Sequence, residues 1–140
     1  IAEASPTTDV ADAIQAAELI VVGPSNPVIS IGPILAVPGM RELITEAKAP
    51  VVAVSPYVAG KVIKGPTDNF MRAVDRPTTA AGVATLYSGL IDAMICDSGD
   101  PDPPPEDMRC FSTGTLMHSR ESRKTVGRAV LKVGEQLRAG

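Results

Sequence analysis

Residues 21–35 read VVGPSNPVISIGPIL. A short apolar run gives way at Gly23 to a stretch in which Pro24, Pro27 and Pro33 remove backbone donors, so the reading predicts an irregular loop in place of helix or strand. The run before it, LIVVG (19–23), is continuous, apolar and too short for a buried helix. That is the pattern of a parallel strand covered on both faces. Upstream, Val10, Ile14 and Ala17 fall at helical spacing, with Thr8 or Asp9 placed to cap the first turn. Downstream, Met40, Leu43, Ile44 and Ala47 mark a helix beginning near Pro38-Gly39, and APVVAVSP (49–56) is a second buried strand. The loop therefore closes a β-α-β unit.

The same alternation continues. Pro66 can occupy the first turn of a helix carrying Phe70, Met71 and Val74, and TTAAGVATLYSGL (78–90) is a further helix capped by Thr78 or Thr79. DAMIC (92–96) reads as a strand and MRCFST (108–113) as the last one. Between them DSGDPDPPPEDM (97–108) breaks regular structure, and its repelling carboxylates read as a solvated surface loop. Val126, Val130, Val133 and Leu137 share one face of an amphipathic C-terminal helix that docks on the sheet. Residues 1–140 are thus expected to form a single Rossmann-like, three-layer α/β domain with a mainly parallel sheet and helices on both faces. In such sheets ligands sit beyond the carboxyl ends of the strands, where GPSNP lies.

Composition narrows the function classes. Aromatic residues make up only 3% with no Trp, so the core must be aliphatic and rich in alanine. A net charge of -3 with mixed signs gives no basic stripe for nucleic acid. No apolar run approaches the roughly 20 residues of a membrane span and no signal peptide is visible, so the chain reads as cytoplasmic with no membrane partner. Cys96 and Cys110 are too few and too far apart for a zinc site and read as reduced, half-buried thiols.

Two loops carry candidate chemistry. Gly23 lets backbone approach a ligand, Ser25 and Asn26 offer hydroxyl, amide and main-chain donors, and the prolines hold the loop in shape, which suits a phosphate. A rigid turn that binds nothing is the competing reading. After the second strand, SPYVAGKVIKGP (55–66) places Ser55, Lys61, Lys64 and Gly65 at the same sheet edge, with Lys64 just ahead of a helix start. Asp97, Asp100, Asp102, Glu106 and Asp107 could hold Mg²⁺ but read better as a solvated acidic loop. His118 has no nucleophile motif and no second His beside it, and reads as a surface or helix-capping residue.

AAELIVVGPSNPVISIGPILAVPGMRE (16–42), APVVAVSPYVAGKVIKGPTDNFMRA (49–73), LIDAMICDSGD (90–100) and TLMHS (115–119) resemble, in that order, the second half of the 2-phospho-L-lactate transferase family, which in actinobacteria includes phosphoenolpyruvate transferases. The resemblance implies the C-terminal part of a longer enzyme of coenzyme F-420 biosynthesis. That enzyme moves a phospholactyl or phosphoenolpyruvyl group from a GDP-activated donor onto the deazaflavin alcohol Fo and releases GMP. It further implies that Gly23, Pro24, Ser25, Asn26 and Ser30 line the nucleotide-phosphate site, with Ser55, Lys61, Lys64 and Gly65 on the neighbouring loop. The partners implied are a guanosine nucleotide donor, Fo and a second copy in a homodimer. The Mg²⁺ ligands, the catalytic base and most of the Fo pocket are expected in the first half of the family, so the resemblance assigns no catalytic or metal residue here. Gly114 and Ala93 depart from the family, which often has Asp and Gly at those places. A sister family of gluconeogenesis-factor proteins, thought to bind UDP-sugars, has a similar loop. Its Gly-Pro-Gly-Ser is replaced here by Gly-Pro-Ser-Asn at 23–26.

Overall fold

The computed structural model describes residues 3–102 and 107–140. Helix α1 (Thr8–Ala16) is capped by Thr7, whose side chain accepts from the Val10 N–H. The cap lies one residue ahead of the predicted Thr8 or Asp9 because Thr7 is the residue still in extended backbone. Strand β1 (Ile20–Val22) follows.

The stretch predicted as an irregular loop is instead largely helical: Pro27–Ile31 forms a π-turn that runs directly into α2 (Gly32–Leu35). Asn26 explains the start. Its Oδ1 accepts from the Val28 and Ile29 N–H groups at 2.9 and 3.1 Å, and Pro27 sits at the first helical position, where a missing N–H does no harm. The wide register has a local cause as well. The Asn26 carbonyl accepts from both Ser30 and Ile31, and Gly32 donates five residues back to Pro27.

Helix α3 (Met40–Thr45) leads to β2 (Val51–Val54), whose four residues are all buried. A small antiparallel hairpin, β3 (Tyr57–Val58) and β4 (Lys61–Val62), then occupies part of the second predicted loop. Its turn uses two left-handed residues, Ala59 at φ +50° and Gly60 at φ +72°. Helix α4 (Thr67–Ala73) follows with Pro66 just outside its first turn, then α5 (Ala80–Leu86), capped by Thr79. Strands β5 (Ala93–Asp97) and β6 (Cys110–Thr113) precede the long α6 (Arg120–Ala139). Ser119 and Ser122 form a reciprocal capping box at the start of α6.

The sheet runs β1-β2-β5-β6 with every pair parallel, in a register that sets Ile20 beside Val51, Val52 beside Ala93 and Met94 beside Cys110. The chain is therefore the expected α/β fold with a parallel sheet and flanking helices. Strand alternation divides the core in two. Val51, Ala53, Met94 and Cys96 face Met40, Ile44, Met71 and Val83 from the helices on one side. On the other, Val52, Val54, Ala93 and Ile95 face Val126, Val130 and Val133 of α6, with Leu19 and Phe111 at the margin. No helix among the described residues is long and apolar enough to cross a membrane.

The predicted solvated acidic loop needs correction at Asp97, which is the last residue of β5 and is buried. Glu106 and the prolines at 103–105 lie outside the described residues. Cys96 and Cys110 are free, as read, although Cys96 is fully within the core while Cys110 is half-buried. The hydrogen bond from Cys96 to Cys110, and then burial, holds the Cys96 thiol well above the usual thiol range, while accepting that bond lowers Cys110. Cys96 therefore stays protonated and unreactive.

Candidate functional site

Beyond the carboxyl ends of β1, β2 and β6 lies a cavity of about 610 Å³. The end of β1 contributes Pro24, Ser25 and Asn26, and the π-turn contributes Ile29 and Ser30. Ser55 stands at the end of β2, the segment after the hairpin brings Ile63, Lys64 and Gly65, and the segment after β6 brings Thr115 to His118. Seven of the residues singled out from sequence thus surround one space: Pro24, Ser25, Asn26, Ser30, Ser55, Lys64 and Gly65. Gly23 and Lys61 do not line it. Lys61 sits at the hairpin turn, paired with Val58 and facing solvent, and nothing approaches the position of a Gly23 Cβ within 4 Å.

Asn26 also has a role within the protein. Its Oδ1 caps the π-turn and its Nδ2 donates to the buried Thr67 Oγ1 at 3.3 Å. It joins the first loop to the start of α4. Tyr57 braces the same region from below, its hydroxyl donating to Asp68 Oδ1 at 2.9 Å. Burial, followed by that bond, raises the phenol far above its ordinary range, so it is a donor at any physiological pH.

The lining has a distinctive chemistry. Lys64 and His118 are its only ionisable side chains among the described residues, and no carboxylate faces the space. Ile29, Ile63, Leu116 and Met117 rim it, all large apolar residues left substantially exposed. A lining that combines large apolar residues with serine and threonine hydroxyls and one lysine fits a ligand with an apolar part and an anionic part. The donor set does not fit Mg²⁺, which needs carboxylate or phosphate oxygens, and the described residues contain no group of three or more His, Cys, Asp or Glu arranged for a metal.

Sequence reading missed Thr67, Thr115 and the apolar rim: Thr67 and Thr115 lie far along the chain from GPSNP, and the rim is gathered from separate segments at Ile29, Ile63 and Leu116–Met117. His118 is exposed as expected, but Ser119 performs the capping and His118 turns into the cavity wall, with Nδ1 3.3 Å from the Leu116 carbonyl. Behind this wall Asp97 is saturated. Its Oδ1 accepts from Ala59 N–H at 3.2 Å and Gly99 N–H at 2.9 Å, and its Oδ2 from Thr115 N–H at 2.7 Å and Thr115 Oγ1 at 3.0 Å. Burial alone would raise this carboxyl; the four hydrogen bonds outweigh it and bring Asp97 below the usual carboxylate range. A second hollow of about 740 Å³, at the opposite ends of the strands, mixes Lys48 and Arg109 with Asp92 and Asp107 and shows no such bias.

Comparison with known proteins agrees with this geometry. Residues 1–130 match the family described as 2-phospho-L-lactate transferase CofD. The chain is 41% identical to a phosphoenolpyruvate transferase of Streptomyces griseus over 98% of its own length and 45% of that protein's. It is 37% identical to a 2-phospho-L-lactate transferase of Methanopyrus kandleri over 96% of its length and 44% of that protein's. The chain therefore spans under half the length of these relatives. A crystal structure of a UPF0052-family protein from Bacillus halodurans superposes over 91% of this chain and 46% of that one with a TM-score of 0.63 at 18% identity, a likeness of fold. With the match running almost from end to end, this chain belongs to the 2-phospho-L-lactate transferase CofD family.

Proposed function

We propose that this chain is the nucleotide-binding part of a coenzyme F-420 transferase, holding the GDP-activated donor of a phosphoenolpyruvyl or 2-phospho-L-lactyl group while Fo is the acceptor. The observation that supports it best is the cavity beyond the strand ends, lined by hydroxyls and Lys64, with an apolar rim and no carboxylate. Ser25, Ser30 and Ser55 would donate to phosphate oxygens, and Lys64 and the rim would receive charge and base. In the reaction the terminal hydroxyl of Fo attacks the phosphorus nearest the organic acid. GMP leaves with the electron pair of the broken P–O bond, and the acceptor's proton passes to a base. Lys64 and the convergent donors offset the charge that gathers on the departing phosphate. Mg²⁺, the base and the second subunit of a homodimer are assigned to parts of the enzyme outside this cavity.

Calorimetric titration of GDP, with ADP and a UDP-sugar as controls, tests this reading. Preferential GDP binding that a Ser25→Ala/Lys64→Ala double variant loses supports it. UDP-sugar preference, or no binding by the folded chain, overturns it.

A further inference from the structure

We propose that Asp97 is a positioning residue that fixes the separation of two walls of the cavity by holding the β3–β4 hairpin with one carboxylate oxygen and the segment after β6 with the other. The hairpin and its continuation supply Val58, Val62, Ile63 and Lys64 to the lining, and the other segment supplies Thr115 to His118. Among the described residues no hydrogen bond joins these two walls directly. They meet through Asp97, which receives Ala59 on Oδ1 and Thr115 twice on Oδ2.

Four further observations support this role. Asp97 ends β5 in the middle of the sheet, so its anchor is the most rigid element available. Asp100, three residues on, accepts from the Gly60 N–H at 2.8 Å, so consecutive amides of the hairpin turn are held by two carboxylates from one short segment. The turn they grip contains Ala59 at φ +50°, a conformation that a residue with a Cβ keeps only where its surroundings over-determine it. Gly99, the third amide in the grip, has the Asp97 Oδ1 atom 3.1 Å from its would-be Cβ, so the segment closes tightly on the carboxylate.

Asp97→Asn is the informative change. An amide has one acceptor oxygen, and its NH₂ would face an N–H on the other wall, so one wall must be released while the side-chain volume is kept. The expected result, by native-state amide exchange, is a rise of about tenfold or more at Ala59 or at Thr115, whichever wall loses its acceptor, with the other wall and Val52 and Ile95 in the sheet unchanged. Thr115→Val, which keeps the N–H bond and the fold, should raise exchange at Thr115 and leave Ala59 as it was. On the nucleotide-site reading, on which this last consequence rests, GDP affinity of Asp97→Asn falls about tenfold at a temperature where the variant is fully folded. Unchanged exchange at both walls overturns the proposal, as does uniform loosening of the whole sheet. If the native chain takes no GDP, the nucleotide reading fails and the exchange pattern still decides the clasp.

Discussion

Replacing Asn26 by alanine isolates the group that turns a proline-rich segment into helix. The variant loses the two acceptor bonds to Val28 and Ile29 N–H, and a lost Asn cap costs about 1 kcal/mol, up to about 2. It also deprives buried Thr67 of its Nδ2 partner; at 3.3 Å and half-buried, that bond is worth roughly 0.5–1 kcal/mol. The sum is about 2 kcal/mol, a fall in Tm of about 6 °C for a domain between the size classes for which such shifts are known. Asn26→Asp keeps both acceptor bonds and lets the Thr67 hydroxyl turn and donate, so its loss should stay below about 0.5 kcal/mol. Thermal and urea unfolding followed by circular dichroism would measure both. If the alanine variant unfolds within about 0.3 kcal/mol of the native chain, or the aspartate variant is equally damaged, the capping argument is wrong.

Other outcomes follow from the same contacts. Gly82→Ala should destabilise by about 3 kcal/mol or more in urea titration, because its Cβ would stand 2.0 Å from the Pro77 carbonyl, while Gly127→Ala, in open space on α6, should stabilise by roughly 1 kcal/mol. Val133→Ala, which removes two buried methyl groups from the α6 face packed on the sheet, should lower stability by about 2 kcal/mol with an unchanged urea m value. Because Asp97 is lowered in the folded state, its contribution is complete above the unfolded value of about 3.9 and disappears as pH falls through the folded one. The unfolding free energy of the native chain should therefore drop on acidification below about pH 4 more steeply than that of Asp97→Asn.

Much of the architecture was legible because buried parallel strands announce themselves as short apolar runs: LIVVG, APVVAVSP and DAMIC each hold a strand of the sheet. The C-terminal helix was equally plain from Val126, Val130 and Val133. What failed was the reading of proline as a breaker. Pro27 and Pro33 both stand near helix starts, where a missing N–H is harmless, and only the Asn26 side chain, not composition, reveals that. Asp97 was misread for a related reason. In sequence it opens an acidic, proline-rich run, whereas in space it closes a central strand and meets amides from residues 59, 99 and 115. The strand-end position of Ser25 and Ser55 followed from the α/β pattern, but the place of Leu116, Met117 and His118 required the long-range register of β5 and β6.

The unequal covering of the sheet bears on how such a protein fares in a crowded, proteolytic environment. Among the described residues one face is shared among several helices, but the other is covered by one helix, α6, packed chiefly through Val126, Val130 and Val133. Undocking that one helix would bare Val52, Val54, Ala93 and Ile95, a flat β-branched and alanine surface with no charge to discourage stacking. Partial opening at the C-terminal end is thus the event that exposes a self-associating surface while the cavity at the strand ends is still formed. Aggregation and chaperone capture, more than loss of ligand binding, would be the first sign of damage to α6.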